Sequence, residues 1–166
     1  MPTGPALTGS RRACDAAGME INGMAHVVLT VSDFKAARAF YGELLPFLGL
    51  RPVIDADEFF YCVGGRTALG IAPAEPAHAG ERFVQRRIGL HHLCFRARER
   101  ADVDAVHALA CKLGATIVHE PEDGPWAPGY YSVLFEDPDG IRLEVNHVPG
   151  KGNLAPGIDL PKKSYP

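Results

Sequence analysis

Two histidines occupy the same position in two copies of one sequence pattern. His26 opens the apolar run HVVLTV, and His92 opens the run HLCFRA. The histidines are 66 residues apart, while Gly49 and Gly114, which end the helical pattern that follows each run, are 65 apart. A repeat that keeps its register over a strand and a helix indicates two copies of one module. Because imidazole is a common metal ligand, the pairing predicts a site that both modules share.

A glutamate near the end of the second copy extends this candidate set. In the run IRLEVNHV, apolar and polar residues alternate, so Glu144 shares one strand face with Arg142 and Asn146. His26 and His92 likewise point away from the strand faces that should pack against a helix. Two histidines and one carboxylate can hold a divalent ion with open coordination positions. We therefore predict a metal site, with Fe, Mn, Zn and Ni all remaining candidates.

Less specific interpretations of the same residues stay open. Glu144 could instead pair with Arg142 or Arg96 in a solvated charge cluster, which would leave the cleft without metal. His91 should point to the face opposite its neighbour, because side chains alternate along a strand. His147 is a weak fourth-ligand candidate, since it lies three residues after Glu144 and hence on the other face or in the exit turn.

The elements that must position these residues follow one order twice, namely β-α-β-β-β. The first predicted helix begins near Asp33, with Asp33 or Ser32 as the N-cap, and ends at Gly49. Phe59, Phe60 and Tyr61 are expected to lie in the strand core. The predicted strands cover residues 26–31, 51–54, 59–63, 67–72, 92–97, 116–119, 130–135 and 141–147, and the tetrapeptide DPDG joins the last two.

This order predicts an α+β protein with one domain made of two tandem βαβββ modules. The first module spans 24–74, a linker 75–88 and the second module 89–148. Residues 1–23 are predicted to form a flexible extension, with Met19 or Met24 as alternative starts, and 149–166 a surface tail.

The totals exclude several function classes. Of 166 residues, 46% are hydrophobic and 22% charged, an ordinary globular balance. A net charge of −3 provides no basic surface for nucleic acid. The chain has no apolar run of the roughly 20 residues that a membrane span needs, and no secretory signal, so we expect a cytoplasmic protein. The four cysteines form no CxxC pair, which is typical of free thiols.

The paired modules, the strand-opening His26 and His92, and the run DPDG-(x)3-Glu144 resemble the vicinal oxygen chelate superfamily, which includes glyoxalases, bleomycin resistance proteins and extradiol dioxygenases. The resemblance covers about residues 24–148. It implies a half-open barrel, a homodimer, and a metal held by His26, His92 and Glu144 that chelates a small substrate through vicinal oxygens. The resemblance leaves open whether the site forms within one chain or between two.

Departures from these relatives narrow the expected chemistry. The fourth ligand typical of glyoxalase I would fall on Leu69 or Gly70, neither of which binds metal. The His and Tyr that extradiol enzymes place before the final Glu would fall near Pro125 and Leu134. The lysine- and serine-rich loop of fosfomycin enzymes has no clear counterpart. Membership of the superfamily therefore does not select one reaction.

The remaining polar and aromatic residues suggest roles around the site. Arg96, Tyr131 and Asn146 are weak candidates for catalytic groups. Trp126, Tyr130 and Tyr131 follow or belong to a Gly/Pro-rich loop, where they could border a ligand or serve as loop anchors. Cys94 shares a face with His92 and could approach the site. The rival function is a metal-free protein that binds a drug or another ligand, as bleomycin resistance relatives do.

Overall fold

The computed structural model describes residues 21–157. Residues 1–20 of the predicted flexible extension and 158–166 of the predicted surface tail lie outside the described residues. Within them, the two copies of the pattern fold into two sheets, each with one long helix. Each sheet packs one face against its helix, and we call the other its open face.

The first module forms a four-stranded sheet with strand order β1-β4-β3-β2. Strand β1 pairs in parallel with β4, and the other pairs are antiparallel. The elements are β1 (Val27–Val31), α1 (Phe34–Phe47), β2 (Arg51–Ala56), β3 (Phe59–Gly64) and β4 (Thr67–Pro73).

The second module repeats this arrangement with strand order β5-β8-β7-β6. The elements are β5 (Leu93–Arg96), α2 (Arg100–Lys112), β6 (Thr116–Asp123), β7 (Tyr131–Glu136) and β8 (Arg142–His147). Short 3-10 turns lie at Pro76–His78 and Gly152–Leu154. The predicted α+β fold of two βαβββ modules is confirmed, and neither sheet closes on itself, as a half-open barrel requires.

Local chemistry explains where the first helix begins and ends. The Asp33 side chain accepts a hydrogen bond from the backbone N–H of Ala36 at 2.9 Å and so caps α1, as predicted. Ser32, the alternative cap, instead contacts Asp139 of the second module. Gly49 follows the helix with φ of 84°, a conformation that a residue without a Cβ adopts at little cost.

The strand boundaries differ from the predicted ones at the positions that matter most for function. The first regular residues of β1 and β5 are Val27 and Leu93, so His26 and His92 lie just before their strands. Strand β7 likewise begins at Tyr131, because the backbone N–H of Tyr130 closes a turn with the carbonyl of Ala127 at 3.0 Å. Side chains alternate strictly between the two sheet faces only within paired strands. The directions of the His26 and His92 side chains are therefore not fixed by this alternation.

The helix-packed faces of both modules join in one hydrophobic core. Its fully buried members include Leu44, Phe60 and Ile71 from the first module and Val103, Phe135 and Leu143 from the second. Because residues of both modules pack together in it, the two modules share one core. Removing such apolar surface from water provides most of the folding free energy.

The DPDG turn contributes polar contacts between the modules. The Tyr41 hydroxyl donates a hydrogen bond to Asp137 at 2.7 Å, and the Ser32 backbone N–H donates one to Asp139 at 3.0 Å. Asp137 also accepts backbone hydrogen bonds from Asp139 and Ile141 at 2.9 and 2.8 Å. These contacts fix the turn that precedes β8 and attach it to the first module.

No helix within residues 21–157 is long and apolar enough to cross a membrane.

Candidate metal-binding site

The open face of the second sheet brings two of the three predicted ligands together. Strand β5 runs beside β8 with Cys94 directly opposite Glu144. His92 lies two residues before Cys94, and its side chain comes close to the glutamate on the same face of the sheet. His92 Nε2 lies 3.1 Å from Glu144 Oε2. At this distance the imidazole N–H donates a hydrogen bond to the carboxylate, and both groups, which we call the donor pair, are of types that can bind a divalent ion.

Glu144 is buried and firmly held. Its exposed fraction is 5%, and the Tyr130 hydroxyl donates a hydrogen bond to Oε1. Burial alone would raise the pKa of this carboxyl, but hydrogen bonds from His92, Tyr130 and Ser132 lower the pKa below its ordinary value. The carboxylate is therefore ionised and oriented toward His92.

A loop between β6 and β7 brings Tyr130 to the glutamate. Tyr130 packs with Trp126, Ala127 and Val148 in a small apolar cluster, and a Cβ on Gly124 would lie only 2.9 Å from the Tyr130 ring. Burial and its hydrogen bond to Glu144 raise the pKa of Tyr130, so the phenol keeps its proton. Trp126 thus anchors the loop, whereas Tyr130 contacts the site.

The other ring nitrogen of His92 contacts a residue that sequence reasoning assigned elsewhere. His92 Nδ1 lies 2.8 Å from Nδ1 of His91, and His91 Nε2 lies 2.7 Å from the side-chain nitrogen of Gln85. His91 was expected on the opposite face, but strand alternation does not apply to it because β5 begins at Leu93. With Nδ1 engaged by His91, Nε2 is the nitrogen that faces Glu144.

His26 lies apart from this pair, exposed at the equivalent position of the first sheet. Its ring meets Tyr61 edge to face with centroids 6.4 Å apart. Within residues 21–157, no three His, Cys, Asp or Glu side chains are grouped so that they could hold a metal ion. One chain thus assembles His92 with Glu144, and the three-residue set stays a prediction.

The register between strands identifies the counterpart of Glu144 in the first sheet. Gly70 pairs with Val28, as Glu144 pairs with Cys94. A Cβ on Gly70 would lie 2.8 Å from the Tyr61 ring, so this ring occupies the space that a ligand side chain would take. Of the two positions considered for a fourth ligand, Gly70 is on the open face and Leu69 is buried in the core.

Phe59 and Tyr61 do not belong to the strand core, contrary to the sequence-based expectation. Their rings stack 5.7 Å apart at an interplanar angle of 17°, and both are only partly buried, whereas Phe60 between them is fully buried. Alternation along β3 explains the difference, because neighbouring side chains point to opposite faces of the sheet. His26 therefore borders an aromatic surface.

Neither arginine that could have neutralised Glu144 does so in the described part of the chain. Arg142 Nε contacts Glu136 at 3.3 Å, and Arg96 Nε donates a hydrogen bond to the Asn146 side chain at 2.8 Å. The solvated cluster of Glu144 with an arginine is therefore not observed. The glutamate's partners are the groups that orient it toward His92.

The weak catalytic candidates separate between the two faces of the sheet. Tyr131 lies on the helix-packed face, where its hydroxyl donates to Asp104 at 2.6 Å beneath the Arg100 guanidinium. Tyr130 thus takes the place near Glu144 that the sequence offered to Tyr131. Desolvation and the nearby Glu144 carboxylate raise the pKa of the Cys94 thiol, which therefore stays protonated.

A cavity of about 1050 Å³ lies between the modules beside strands β1 and β5. Its lining includes Val27, Leu69 and Val145 from the helix-packed faces, together with Arg96. Neither His92 nor Glu144 lines it. The cavity thus follows the edge of β5, where residues of both sheet faces line it, and the donor pair is not part of it.

Fold and site together define a protein of two βαβββ modules, each with one sheet face that its helix leaves uncovered. The sequence model of the glyoxalase/bleomycin resistance protein/dioxygenase superfamily matches residues 23–145. The chain belongs to this superfamily.

Individual relatives agree with this assignment. The uncharacterized protein YqjT of Bacillus subtilis (strain 168) is 31% identical over 124 residues, which cover 74% of this chain and 96% of the relative. A glyoxalase/bleomycin resistance protein from Albidiferax ferrireducens T118 is 25% identical, with a TM-score of 0.61 over 75% of this chain and 98% of its own. Lactoylglutathione lyase from Agrobacterium tumefaciens is 26% identical, with a TM-score of 0.56 over 78% and 96%.

Proposed function

We propose that this protein is a metal-dependent enzyme that acts on a small substrate chelated through two adjacent oxygens. The observation that carries the proposal is the 3.1 Å approach of His92 Nε2 to a buried, ionised Glu144. A buried carboxylate that faces an imidazole, with no arginine to neutralise it in the described part of the chain, suits a divalent cation. His26 is the proposed third ligand.

The donor set fits a divalent ion with open coordination positions. Such an ion acts as a Lewis acid toward substrate oxygens and, if it is Fe(II), can also bind dioxygen. Tyr130 and Ser132 hold the carboxylate of Glu144, and His91 holds the imidazole of His92. These contacts limit the motion of both ligands, and such support usually strengthens metal binding.

We further propose that His26 reaches the metal from a second copy of the chain. His26 is exposed, and its open face also exposes apolar side chains, with Val28 at 45% and Val63 at 41%. A soluble protein gains free energy when such a surface is covered. In a two-fold dimer, the open face of the first sheet of each chain can cover the open face of the second sheet of the other chain. The dimer then contains two such contacts.

Metal analysis of protein purified without chelators tests the ligand set. We expect about one equivalent of Fe, Mn, Zn or Ni per chain in the wild type. His92→Ala and Glu144→Ala should lose it, while His78→Ala, which changes an exposed histidine in the linker, should retain it. Absence of metal in the wild type, even after anaerobic reconstitution with each ion, would overturn the proposal.

A mixing experiment tests whether two chains share the site. His26→Ala and Glu144→Ala should each lack metal alone, but a heterodimer of the two would contain one intact set. After unfolding and joint refolding, we expect metal at about a quarter of the sites, because random pairing makes half of the dimers mixed. If the site forms within one chain, the mixture stays metal-free.

The aromatic surface beside His26 supports a second candidate, a ligand-binding protein without a metal. Phe59 and Tyr61 stack on the partly exposed face and could bind a planar compound. For this function, His92→Ala and Glu144→Ala would leave ligand affinity unchanged, and Tyr61→Ala would reduce it.

A further inference from the structure

We infer that Arg96, held by Asn146, binds an anionic group of the substrate, so the substrate is a small oxyanion such as a carboxylate or phosphonate that also carries vicinal oxygens. This inference rests on the proposed metal site, because it assigns the part of the substrate that does not reach the metal. It begins from the position of Arg96 on the open face of the second sheet.

Arg96 lies on the same face as the donor pair. It follows Cys94 by two residues on β5, and Cys94 is directly opposite Glu144. Two residues along a strand span roughly 7 Å, so the backbone of Arg96 is about that far from the level of Glu144. A small molecule bound near Glu144 can span this distance.

The charge of Arg96 is not neutralised by a neighbouring carboxylate within residues 21–157. Its hydrogen bond through Nε goes to the neutral amide of Asn146 at 2.8 Å. By contrast, Arg38, Arg100 and Arg142 each contact a carboxylate of the chain. Arg96 therefore retains the capacity to bind an anion.

The contact with Asn146 also orients the guanidinium. Asn146 is buried, with 6% exposed, and its side chain interacts with the Tyr130 hydroxyl, which in turn contacts Glu144. Arg96 is thus connected to the proposed metal ligand through two buried side chains. Because Nε is engaged, the two terminal nitrogens are the groups that remain for a ligand.

An arginine in this arrangement selects a particular chemistry. Its planar fork matches the two oxygens of a carboxylate or the oxygens of a phosphonate, and such paired hydrogen bonds are about twice as strong as neutral ones. A neutral substrate would leave the positive charge without a partner. The geometry therefore favours an anion whose second end carries the chelating oxygens.

The test compares two chelating probes that differ by one carboxylate, catechol and protocatechuate. Mn(II) is first titrated alone into the apoprotein, and each probe is then titrated into the Mn(II)-loaded protein by calorimetry. We expect the wild type to bind protocatechuate about tenfold more tightly than catechol, the usual effect of one charged hydrogen-bonded pair. Competition by acetate and by methylphosphonate distinguishes a carboxylate subsite from a phosphonate subsite.

Substitutions assign the preference to Arg96. Arg96→Gln should abolish the preference while catechol affinity stays the same, and Arg96→Lys should retain part of it because the charge remains without the fork. Arg142→Gln is the matched control, since Arg142 is on the same strand face but contacts Glu136. An Arg96→Gln variant that keeps the full preference would overturn the inference.

The experiment distinguishes failure of the proposed metal site from failure of the proposed anion subsite. If Mn(II) does not bind, Fe(II), Zn(II) and Ni(II) are titrated in turn, and the proposed function fails only if none of the four binds. The subsite is then tested on apoprotein with benzoate against phenol. Loss of benzoate binding in Arg96→Gln would still support the subsite, and equal binding by both proteins would refute it. If Mn(II) and catechol bind but protocatechuate has no advantage, only the inference about Arg96 fails.

Discussion

The two open faces of this protein have the same strand topology and opposite chemical character. In the second sheet, Glu144 and Asn146 are polar, buried and hydrogen-bonded. In the first sheet, Val28 is exposed and Tyr61 lies over Gly70. Each face has a histidine just before its first strand, and within residues 21–157 only His92 has a neighbouring carboxylate. The repeat thus fixed the backbone positions, whereas the side chains gave the two faces different chemical character.

The difference between the two faces is largest at one pair of equivalent positions. The position that holds Glu144 in the second sheet holds Gly70 in the first, where an aromatic ring fills the space. The first sheet therefore presents one histidine and an apolar surface, whereas the second presents the His92–Glu144 pair and charged groups.

The strongest test asks whether the two modules are one cooperative unit. Phe60 and Phe135 are both fully buried, one in each module. Phe60→Ala and Phe135→Ala should each lower the free energy of unfolding by about 3–5 kcal/mol, because each leaves a cavity in the shared core. Urea unfolding followed by fluorescence of Trp126, the single tryptophan, reports on the second module. A Trp126 transition unaffected by Phe60→Ala would show that the modules unfold separately.

The second test concerns the support that only the second histidine receives. His92 has His91 as a neighbour, whereas Ala25 precedes His26. His91→Phe should weaken metal binding by about tenfold to a hundredfold, since groups that orient a ligand commonly contribute this much. The measurement is competition for the metal against a chromophoric chelator. His78→Phe, in the exposed linker, is the control and should leave affinity unchanged.

The third test concerns Gly70 and Tyr61 in the first sheet. Gly70→Ala would place a Cβ 2.8 Å from the Tyr61 ring and should cost about 1 kcal/mol of unfolding free energy. Tyr61→Ala removes the ring, so the added methyl should cost less in the double variant, which a double-mutant cycle measures. Additive costs would mean that the ring does not restrict this position.

The smallest effect concerns the pH dependence of the polar contact between modules. Burial raises the pKa of Asp137 above its ordinary value, although the hydrogen bond from Tyr41 opposes this shift. The contribution of this shift to the free energy of unfolding is fully present when the pH is below the pKa of Asp137 in the unfolded chain. It is lost as the pH rises through the pKa of Asp137 in the folded protein. The stability of wild type relative to Asp137→Asn should therefore decline as pH rises from about 3 to 7 in urea unfolding.

An exposed carboxylate offers a control with the opposite sign. The hydrogen bond from Arg100 lowers the pKa of Asp123, so its contribution is present above its unfolded pKa and is lost as pH falls through the folded value. The stability of wild type relative to Asp123→Asn should rise with pH. If the stability of wild type relative to Asp137→Asn and relative to Asp123→Asn changed with pH in the same direction, the raised pKa of Asp137 would be contradicted.

The elements of the fold could be predicted because their signals are local. Asp33 and Gly49 delimit α1 through capping and a positive φ, and both depend on a few adjacent residues. Strand alternation likewise placed Leu143 in the core and Glu144 on the other face. The same rule failed for His91, because it applies only within a ladder and β5 begins two residues later.

The partners of the polar side chains could not be predicted in the same way. Tyr130 contacts Glu144 from a loop, and its path depends on how Trp126 and Val148 pack together. Arg96 was one of two candidate partners for Glu144, and only the three-dimensional structure showed that it bonds Asn146 instead. Such contacts depend on side-chain rotamers and loop closure, which sequence periodicity does not encode.

The sequence alone predicts the two βαβββ modules, their order and the strand face of Glu144, because the periods of strands and helices are written in the chain. The tertiary structure decided that His92 and Glu144 meet, that Tyr130 rather than Tyr131 supports them, and that His26 lies apart. The physical reason is that each of these outcomes depends on packing between segments far apart in the chain, where one ångström decides which polar groups form a hydrogen bond.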